Sequence, residues 1–133
     1  SKANVKGNCV VTHIQFEGIP ENSKVTVFDE ASYNCFKGSS WVLPSNGKGS
    51  YTLSSTSDGC STASQPIMWS IYKQAGSTMF QFKKMTEGIK AKDITDGYRV
   101  ELSSADGSNM VWRAPVTFEG KSAFIVYTLQ RSR

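Results

Sequence analysis

Three cysteines and one histidine are the side chains of this chain that most readily bind metals or form covalent bonds: Cys9, Cys35, Cys60 and His13. No two of the cysteines are spaced as Cys-x-x-Cys, and His13 lies four residues from Cys9 on a predicted strand. A structural zinc site needs clustered ligands at short spacings. The sequence therefore predicts no metal site and no cofactor.

The cysteines point instead to a disulfide. Cys35 follows Ser-Tyr-Asn at the start of a predicted strand, and Cys60 lies in the polar loop Ser-Asp-Gly-Cys-Ser-Thr. A bridge between them would close a loop of about 25 residues and stabilise the fold by about 3 kcal/mol. We expect this bridge, with Cys9 as a free buried strand residue, and an oxidising compartment. The alternative is free thiols in a cytosolic protein.

Groups for acid–base or nucleophilic catalysis are scattered. His13 has no acidic or nucleophilic partner in a recognisable motif, and no Gly-x-Ser-x-Gly elbow, phosphate loop or carboxylate pair occurs. Several carboxylates lie at predicted turns, where they are expected to be solvated: Glu17, Asp29, Glu30, Glu87 and Asp93. The prediction is a protein that is not an enzyme.

Large apolar side chains are the candidates for binding a ligand, because they offer area and shape to an apolar molecule. The alternative is that the same side chains fill a solid core. The candidates are Trp41, Trp69, Phe80, Phe82, Tyr98, Met110 and Trp112.

Strands must position these side chains, since apolar and polar residues alternate with period 2. The alternation predicts that Lys83, Arg99 and Glu101 face water and that five residues face inward: Phe80, Phe82, Tyr98, Val100 and Leu102. Strands are predicted at 9–16, 24–28, 40–43, 51–54, 67–72, 79–84, 98–103, 110–113, 116–118 and 123–129.

Short turns favour pairing of neighbours in a meander to which eight or nine of these ten segments contribute, and closure of the meander removes exposed edges. The predicted fold is all-β: a small antiparallel up-and-down β-barrel, lipocalin-like, with a β-sandwich as the alternative. We expect one domain, 9–133, after a flexible leader, 1–8. The start at Ser1 with a polar leader is typical of a processed chain.

The net charge of +4 and the isoelectric point near 9.0 are a mild basic bias. Lys83, Lys84, Lys90 and Lys92 cluster in the sequence. The aromatic residues lie at strand positions rather than in a base-stacking pattern, so a solvated basic face is expected and no nucleic-acid partner. A weak attraction to anionic lipid headgroups is the remaining alternative. No apolar run approaches the ~20 residues of a transmembrane helix.

Several segments carry a family resemblance. They include Val27-Phe28-Asp29-Glu30-Ala31, Asn34-Cys35-Phe36-Lys37-Gly38-Ser39-Ser40-Trp41, Gly49-Ser50-Tyr51-Thr52-Leu53, Ile67-Met68-Trp69-Ser70-Ile71, Phe80-Gln81-Phe82-Lys83, Gly97-Tyr98-Arg99-Val100 and Val126-Tyr127. Over nearly its whole length the chain resembles the lipocalin-like proteins of Bacteroidetes, many of which are envelope lipoproteins. The resemblance implies paired cysteines at positions 35 and 60. It also implies the bacterial periplasm or outer membrane, with peripheral membrane association through an N-terminal lipid anchor of the precursor.

Two functions follow from these expectations. The first is a non-catalytic cell-envelope protein that binds a small lipophilic molecule or lipid in the barrel, through an open end near Trp41, Trp69 and Trp112. The second is an accessory lipoprotein subunit of an outer-membrane protein complex, with the barrel as an interaction scaffold. A continuous cavity would favour the first, and a filled interior the second.

Overall fold

The alternating strands close into a β-barrel. The computed structural model describes residues 2–54 and 59–132. In chain order the elements are α1 (Lys2–Val5), β1 (Gly7–Glu17), β2 (Thr26–Val27), β3 (Ala31–Ser32), α2 (Tyr33–Phe36), β4 (Ser40–Leu43), β5 (Lys48–Thr52), β6 (Gln65–Gln74), β7 (Ser77–Lys84), β8 (Tyr98–Ala105), β9 (Asn109–Phe118) and β10 (Lys121–Ser132), with a 3₁₀ turn at Ala91–Asp93.

Eight antiparallel strands form the barrel in the order β1-β10-β9-β8-β7-β6-β5-β4. The first strand closes it, because β1 pairs with β10 along one side and with β4 along the other. Closure leaves none of these eight strands with an unpaired edge along its whole length. The predicted up-and-down barrel is confirmed, and the β-sandwich alternative is wrong.

The predicted register of the barrel strands is also confirmed. Phe80, Phe82 and Val100 are each at most 1% exposed, and Leu102 is buried as well. Tyr98, on the same side of β8, is half-buried, whereas Arg99 between Tyr98 and Val100 is exposed. A slip of one residue would have exchanged these two faces of the strand.

The segment between β1 and β4, residues 18–39, lies outside the barrel wall and is called the plug below. The predicted barrel strand at 24–28 is wrong, since only Thr26–Val27 is extended and it pairs with Ala31–Ser32. Phe28 and Asp29 have φ values of 52° and 52°, which turn the chain back on itself and end the extended conformation.

Two other boundaries differ from the prediction. The strands predicted at 110–113 and 116–118 are one strand, β9, which continues through Pro115. At the N-terminus, where a flexible leader is predicted, α1 and the start of β1 are formed, and Val5 is 3% exposed. Val5 lies with Met110 and Leu129 at the end of the barrel opposite the plug. Secondary structure thus begins before residue 9.

A disulfide joins Cys35 of α2 to Cys60, with a Cα–Cα distance of 5.6 Å, as predicted. It ties the plug to the connection between β5 and β6. Cys9 is free and buried, and burial raises the pKa of its thiol to about 12. A thiol with that pKa is protonated and inert at neutral pH. The bridge is compatible with an oxidising compartment.

The tight approach of β4 and β5 gives a prediction for stability. A Cβ atom at Gly49 would collide with the carbonyl oxygen of Val42, whereas at Gly97 the nearest atom would be 3.8 Å away. Neither glycine has a positive φ, so only the available space differs. We expect Gly49→Ala to lower the free energy of unfolding by about 2 kcal/mol. Gly97→Ala is the matched control and should change it by less than about 0.5 kcal/mol in urea denaturation. Equal losses would contradict the packing of β4 on β5.

Candidate functional site

The plug closes one end of the barrel by placing the ring of Phe28 among the rings of the interior. The Phe28 centroid lies 5.2 Å from that of Phe82 and 5.5 Å from that of Tyr127, on which it stacks. Further edge contacts are made by Phe36 at 5.3 Å and Tyr98 at 5.9 Å. These separations and tilts are the favourable ones for aromatic pairs. The side chain of Phe28 is therefore a wedge that fixes the plug in the barrel end.

Polar contacts hold the plug beside this wedge. The ammonium of Lys84 donates to the carbonyl oxygen of Phe28 at 2.6 Å and to the Glu30 carboxylate at 3.1 Å. The hydroxyl of Tyr51 also donates to Glu30. Burial, followed by this contact with Glu30, raises the pKa of Tyr51, so its hydroxyl stays protonated and keeps donating. Hydrogen bonds to charged groups are among the stronger ones in proteins.

Below the plug, stacked rings fill the barrel interior. Trp112 stacks on Phe80 with centroids 4.6 Å apart and meets Trp41 edge-on at 4.9 Å. Trp69 also stacks on Phe80, with centroids 5.8 Å apart. The indole N–H of Trp69 donates to the carbonyl oxygen of Pro44 at 3.0 Å. All three tryptophans are at most 2% exposed. They lie in the packed interior of the barrel and not at its open end, where they are predicted to lie.

The other candidate residues are divided between the two ends of the barrel. Phe82 is buried and stacks on Tyr98 at 5.2 Å, next to the plug. Met110 is 4% exposed and lies at the opposite end, near α1. Of the seven candidates, Tyr98 alone is half-buried, and the other six are buried. The structure thus assembles most of the predicted ligand-binding set into a core.

The barrel opens between β8 and β9, beside the plug. The β8–β9 ladder ends at the pair Glu101↔Arg113, and Pro115, which has no N–H to donate, lies beyond that pair. A cavity of about 300 Å³, called the mouth cavity, occupies this gap. Its lining comprises Thr26, Val27, Phe28, Asp29, Gly97, Tyr98, Arg99, Ala114, Pro115, Val116, Ile125 and Tyr127.

The mouth cavity combines an apolar floor with a charged rim. Ile125 and Tyr127 are nearly inaccessible at its base, while Asp29 and Arg99 are exposed at its edge. Burial, followed by the charge of Asp29, raises the pKa of Tyr98, and burial raises that of Tyr127. Both phenols are therefore protonated at neutral pH, and the Tyr98 hydroxyl donates a hydrogen bond to the Asp29 carboxylate. This arrangement suits a molecule with an apolar body and a polar group.

Most of the mouth residues were not candidates from the sequence. Ala114 and Val116 on β9, and Ile125 and Tyr127 on β10, alternate inward like the residues of any barrel strand. The one local signal was Pro115 within a strand, because proline weakens the pairing with a neighbouring strand. The strands predicted at 110–113 and 116–118 end on either side of it.

Groups suited to catalysis or metal binding remain apart. His13 is exposed, and the Glu17 carboxylate pairs with Arg113 at 2.8 Å on the outer surface. Within residues 2–54 and 59–132, no three His, Cys, Asp or Glu side chains are grouped so that they could hold a metal ion. None of the helices in the described part of the chain is long and apolar enough to cross a membrane.

No protein-family model, curated protein or solved structure matches this chain. The resemblance to the Bacteroidetes proteins therefore stays a prediction. The geometry of the barrel and its cavities is what a functional proposal must be built on.

Proposed function

We propose that this chain is a non-catalytic lipocalin-like protein of the bacterial cell envelope, and that it binds a small lipophilic molecule or lipid at the mouth cavity. The observation that carries the proposal is the opening of about 300 Å³ between β8 and β9. That volume is at the lower limit for pockets that take drug-sized molecules. The ligand lies at the barrel end, against the ring of Phe28, rather than in the ring-filled interior.

The lining defines the class of ligand. A chain or ring of carbon atoms contacts Val116, Ile125 and the rings of Phe28 and Tyr127. A polar group of the same molecule reaches the rim, where the Arg99 guanidinium donates hydrogen bonds. An amphiphile of modest size, such as a single-chain lipid, satisfies both parts of the cavity.

The proposed location is the periplasm or the outer membrane, with a lipid anchor on the precursor. One observation supports it, the Cys35–Cys60 disulfide, because disulfides persist in oxidising compartments. The resemblance to envelope lipoproteins predicts the same location.

Filling the mouth cavity tests the proposal. Val116 lines the cavity and is half-buried, so Val116→Trp adds bulk there without entering the core. The control is Val42→Trp, because Val42 is 41% exposed on β4. We expect the native protein to bind N-phenyl-1-naphthylamine with increased fluorescence. Val116→Trp should weaken the affinity by about tenfold, which is about 1.4 kcal/mol, and Val42→Trp should leave it unchanged.

The proposal fails if the native protein does not enhance the fluorescence of the probe. It also fails if both tryptophan variants weaken binding equally, since the probe would then bind to general apolar surface. Circular dichroism of each variant shows that the barrel is intact.

A second function is favoured by the filled interior. Because Trp41, Trp112 and Phe80 leave their part of the barrel packed, the outer surface is what the barrel offers to a partner. We therefore keep, as the alternative, an accessory lipoprotein subunit of an outer-membrane protein complex. A photo-crosslinking amino acid at Val42 on the outer wall would then capture one defined membrane protein in cells. The same group at Val116 would capture that protein only if the mouth itself docks.

A further inference from the structure

A second cavity lies on the outer surface of the barrel, between β6, β7 and β8 and the loop that joins β7 to β8. Its volume is about 190 Å³. The residues around this outer cavity are Met68, Trp69, Ser70, Gln81, Phe82, Lys83, Ala91, Lys92, Thr95, Gly97 and Arg99. Nothing in the proposed function uses it.

Strand register builds the floor of the outer cavity. Ser70 pairs with Gln81, and Gln81 pairs with Arg99, so these three side chains form one row across the outside of the sheet. Met68 and Lys83 form the next row. Side chains that are directly opposite each other on neighbouring strands lie about 5 Å apart at their Cβ atoms. A ligand on this floor can thus touch several of them together.

The β7–β8 loop forms the wall. The Lys83 ammonium donates to the carbonyl oxygen of Ala91 at 3.1 Å, which fixes the 3₁₀ turn against the sheet. Lys92, the next residue in that turn, lines the cavity from the loop side. Lys83 retains two further N–H donors, because an ammonium has three.

The charges around the outer cavity are uncompensated. Lys83, Lys92 and Arg99 line it, and no carboxylate does. The ion pairs found in the described part of the chain are Lys84–Glu30 and Arg113–Glu17, so none of these three cations belongs to one. Asp93 and Asp96 of the loop are exposed and outside the lining. Like charges held close together favour an anion between them.

We propose that the outer cavity binds a phosphate group. The guanidinium of Arg99 presents paired donors that match two phosphate oxygens, and the lysines add compact positive charge. The Gln81 amide donates to Ser70 Oγ at 2.9 Å, and this bond does not use the Ser70 hydroxyl hydrogen, which can donate to a phosphate oxygen. The volume is below that of pockets for drug-sized molecules, so it suits a compact anion. The phosphate is either free or part of a lipid headgroup.

Arg99 and Gly97 line both the outer cavity and the mouth cavity. A phospholipid could therefore place its phosphate in the outer cavity and part of its apolar chain in the mouth. This connection rests on the proposed function. The phosphate site itself does not, since Arg99 is the only charged side chain that the two cavities share, and Lys83 and Lys92 line the outer cavity alone.

Two variants and a matched control test the site. Arg99→Gln and Lys92→Gln each remove one charge from the cavity, and Lys121→Gln removes one from an exposed lysine at the start of β10. Inorganic phosphate and glycerol 3-phosphate are titrated at low salt while ¹H–¹⁵N spectra are recorded. We expect the amide resonances of β7, β8 and residues 91–97 to shift. The affinity for phosphate should be about tenfold weaker in Arg99→Gln and Lys92→Gln and unchanged in Lys121→Gln.

A second measurement distinguishes the source of the phosphate. Vesicles of phosphatidylglycerol mixed with phosphatidylcholine are compared with phosphatidylcholine alone by co-sedimentation. The phosphate belongs to a lipid headgroup if the protein binds the anionic vesicles and if this binding is weakened by Arg99→Gln and by Lys92→Gln but not by Lys121→Gln. Binding of the soluble phosphates alone assigns a free phosphate.

The inference is overturned if neither soluble phosphate nor anionic vesicles bind, or if all three variants weaken binding equally. Equal weakening would mean a general attraction of the basic surface. The mouth variant Val116→Trp leaves the outer cavity unchanged. If this variant no longer binds the fluorescent probe but still binds phosphate, the phosphate site is distinct from the site of the proposed function.

Discussion

Replacing Trp112 with alanine is expected to lower the free energy of unfolding by about 4 kcal/mol. Trp112 is fully buried at the centre of the ring-filled interior. It stacks on Phe80 at 4.6 Å and packs edge-on against Trp41 at 4.9 Å. Truncation therefore leaves a large cavity that the closed barrel cannot collapse to fill. Urea denaturation measures the loss from the shift of the midpoint.

The control for this prediction is the preceding residue of the same strand. Val111 is on β9, faces outward and is half-buried. Val111→Ala should lower the free energy of unfolding by less than about 1 kcal/mol. If Trp112→Ala left the stability unchanged and abolished binding of the fluorescent probe, Trp112 would be a ligand contact and the interior would not be a core.

The strand pattern could be predicted from the sequence because alternation is a local property of the chain. Phe80 and Phe82, and Val100 and Leu102, are buried as their spacing required. Pairing of neighbouring strands followed from the short turns at residues 75–76, 106–108 and 119–120, and closure of the barrel removes the edges that such a meander would otherwise expose. The bridge between Cys35 and Cys60 could also be predicted, although Cys35 lies in α2 rather than at the start of a strand.

The plug could not be predicted, because its sequence imitates a strand. Val25 and Val27 alternate with polar residues, as in the barrel strands. What ends the strand is a pair of positive φ values at Phe28 and Asp29, and a bulky residue such as Phe28 rarely adopts one. That conformation is stabilised by tertiary contacts. One of them is the hydrogen bond from the ammonium of Lys84, 56 residues further along the chain, to the carbonyl oxygen of Phe28.

The two cavities were hidden for a related reason. Each is formed where separate elements meet: the mouth where β8 departs from β9, and the outer cavity where a loop without periodicity covers three strands. Arg99 was predicted to face water, and it is exposed. Its neighbours Lys92 and Ser70 come from elements whose packing the sequence pattern does not specify. Period-2 alternation assigns the face of a residue but not the residues opposite it.

The wedge that closes the barrel gives the second large effect. We expect Phe28→Ala to lower the free energy of unfolding by about 3 kcal/mol. The ring contacts Phe82 at 5.2 Å, Phe36 at 5.3 Å and Tyr127 at 5.5 Å, and all of these contacts are lost together. Because the disulfide and the Lys84 contacts remain, the plug should stay attached while the barrel end loosens. Amide hydrogen exchange in the plug should accelerate in this variant.

Phe124→Ala is the matched control, because Phe124 is also a half-buried phenylalanine. Its ring is covered on the outer surface by the guanidinium of Arg113, 3.4 Å from the centroid, and has no aromatic neighbour in the described part of the chain. If exposure alone set the effect, the two substitutions would destabilise the protein equally. The ring contacts of Phe28 predict instead that Phe124→Ala lowers the free energy of unfolding by only about 1 kcal/mol. Equal losses in urea denaturation would show that Phe28 rests on the barrel end without wedging it.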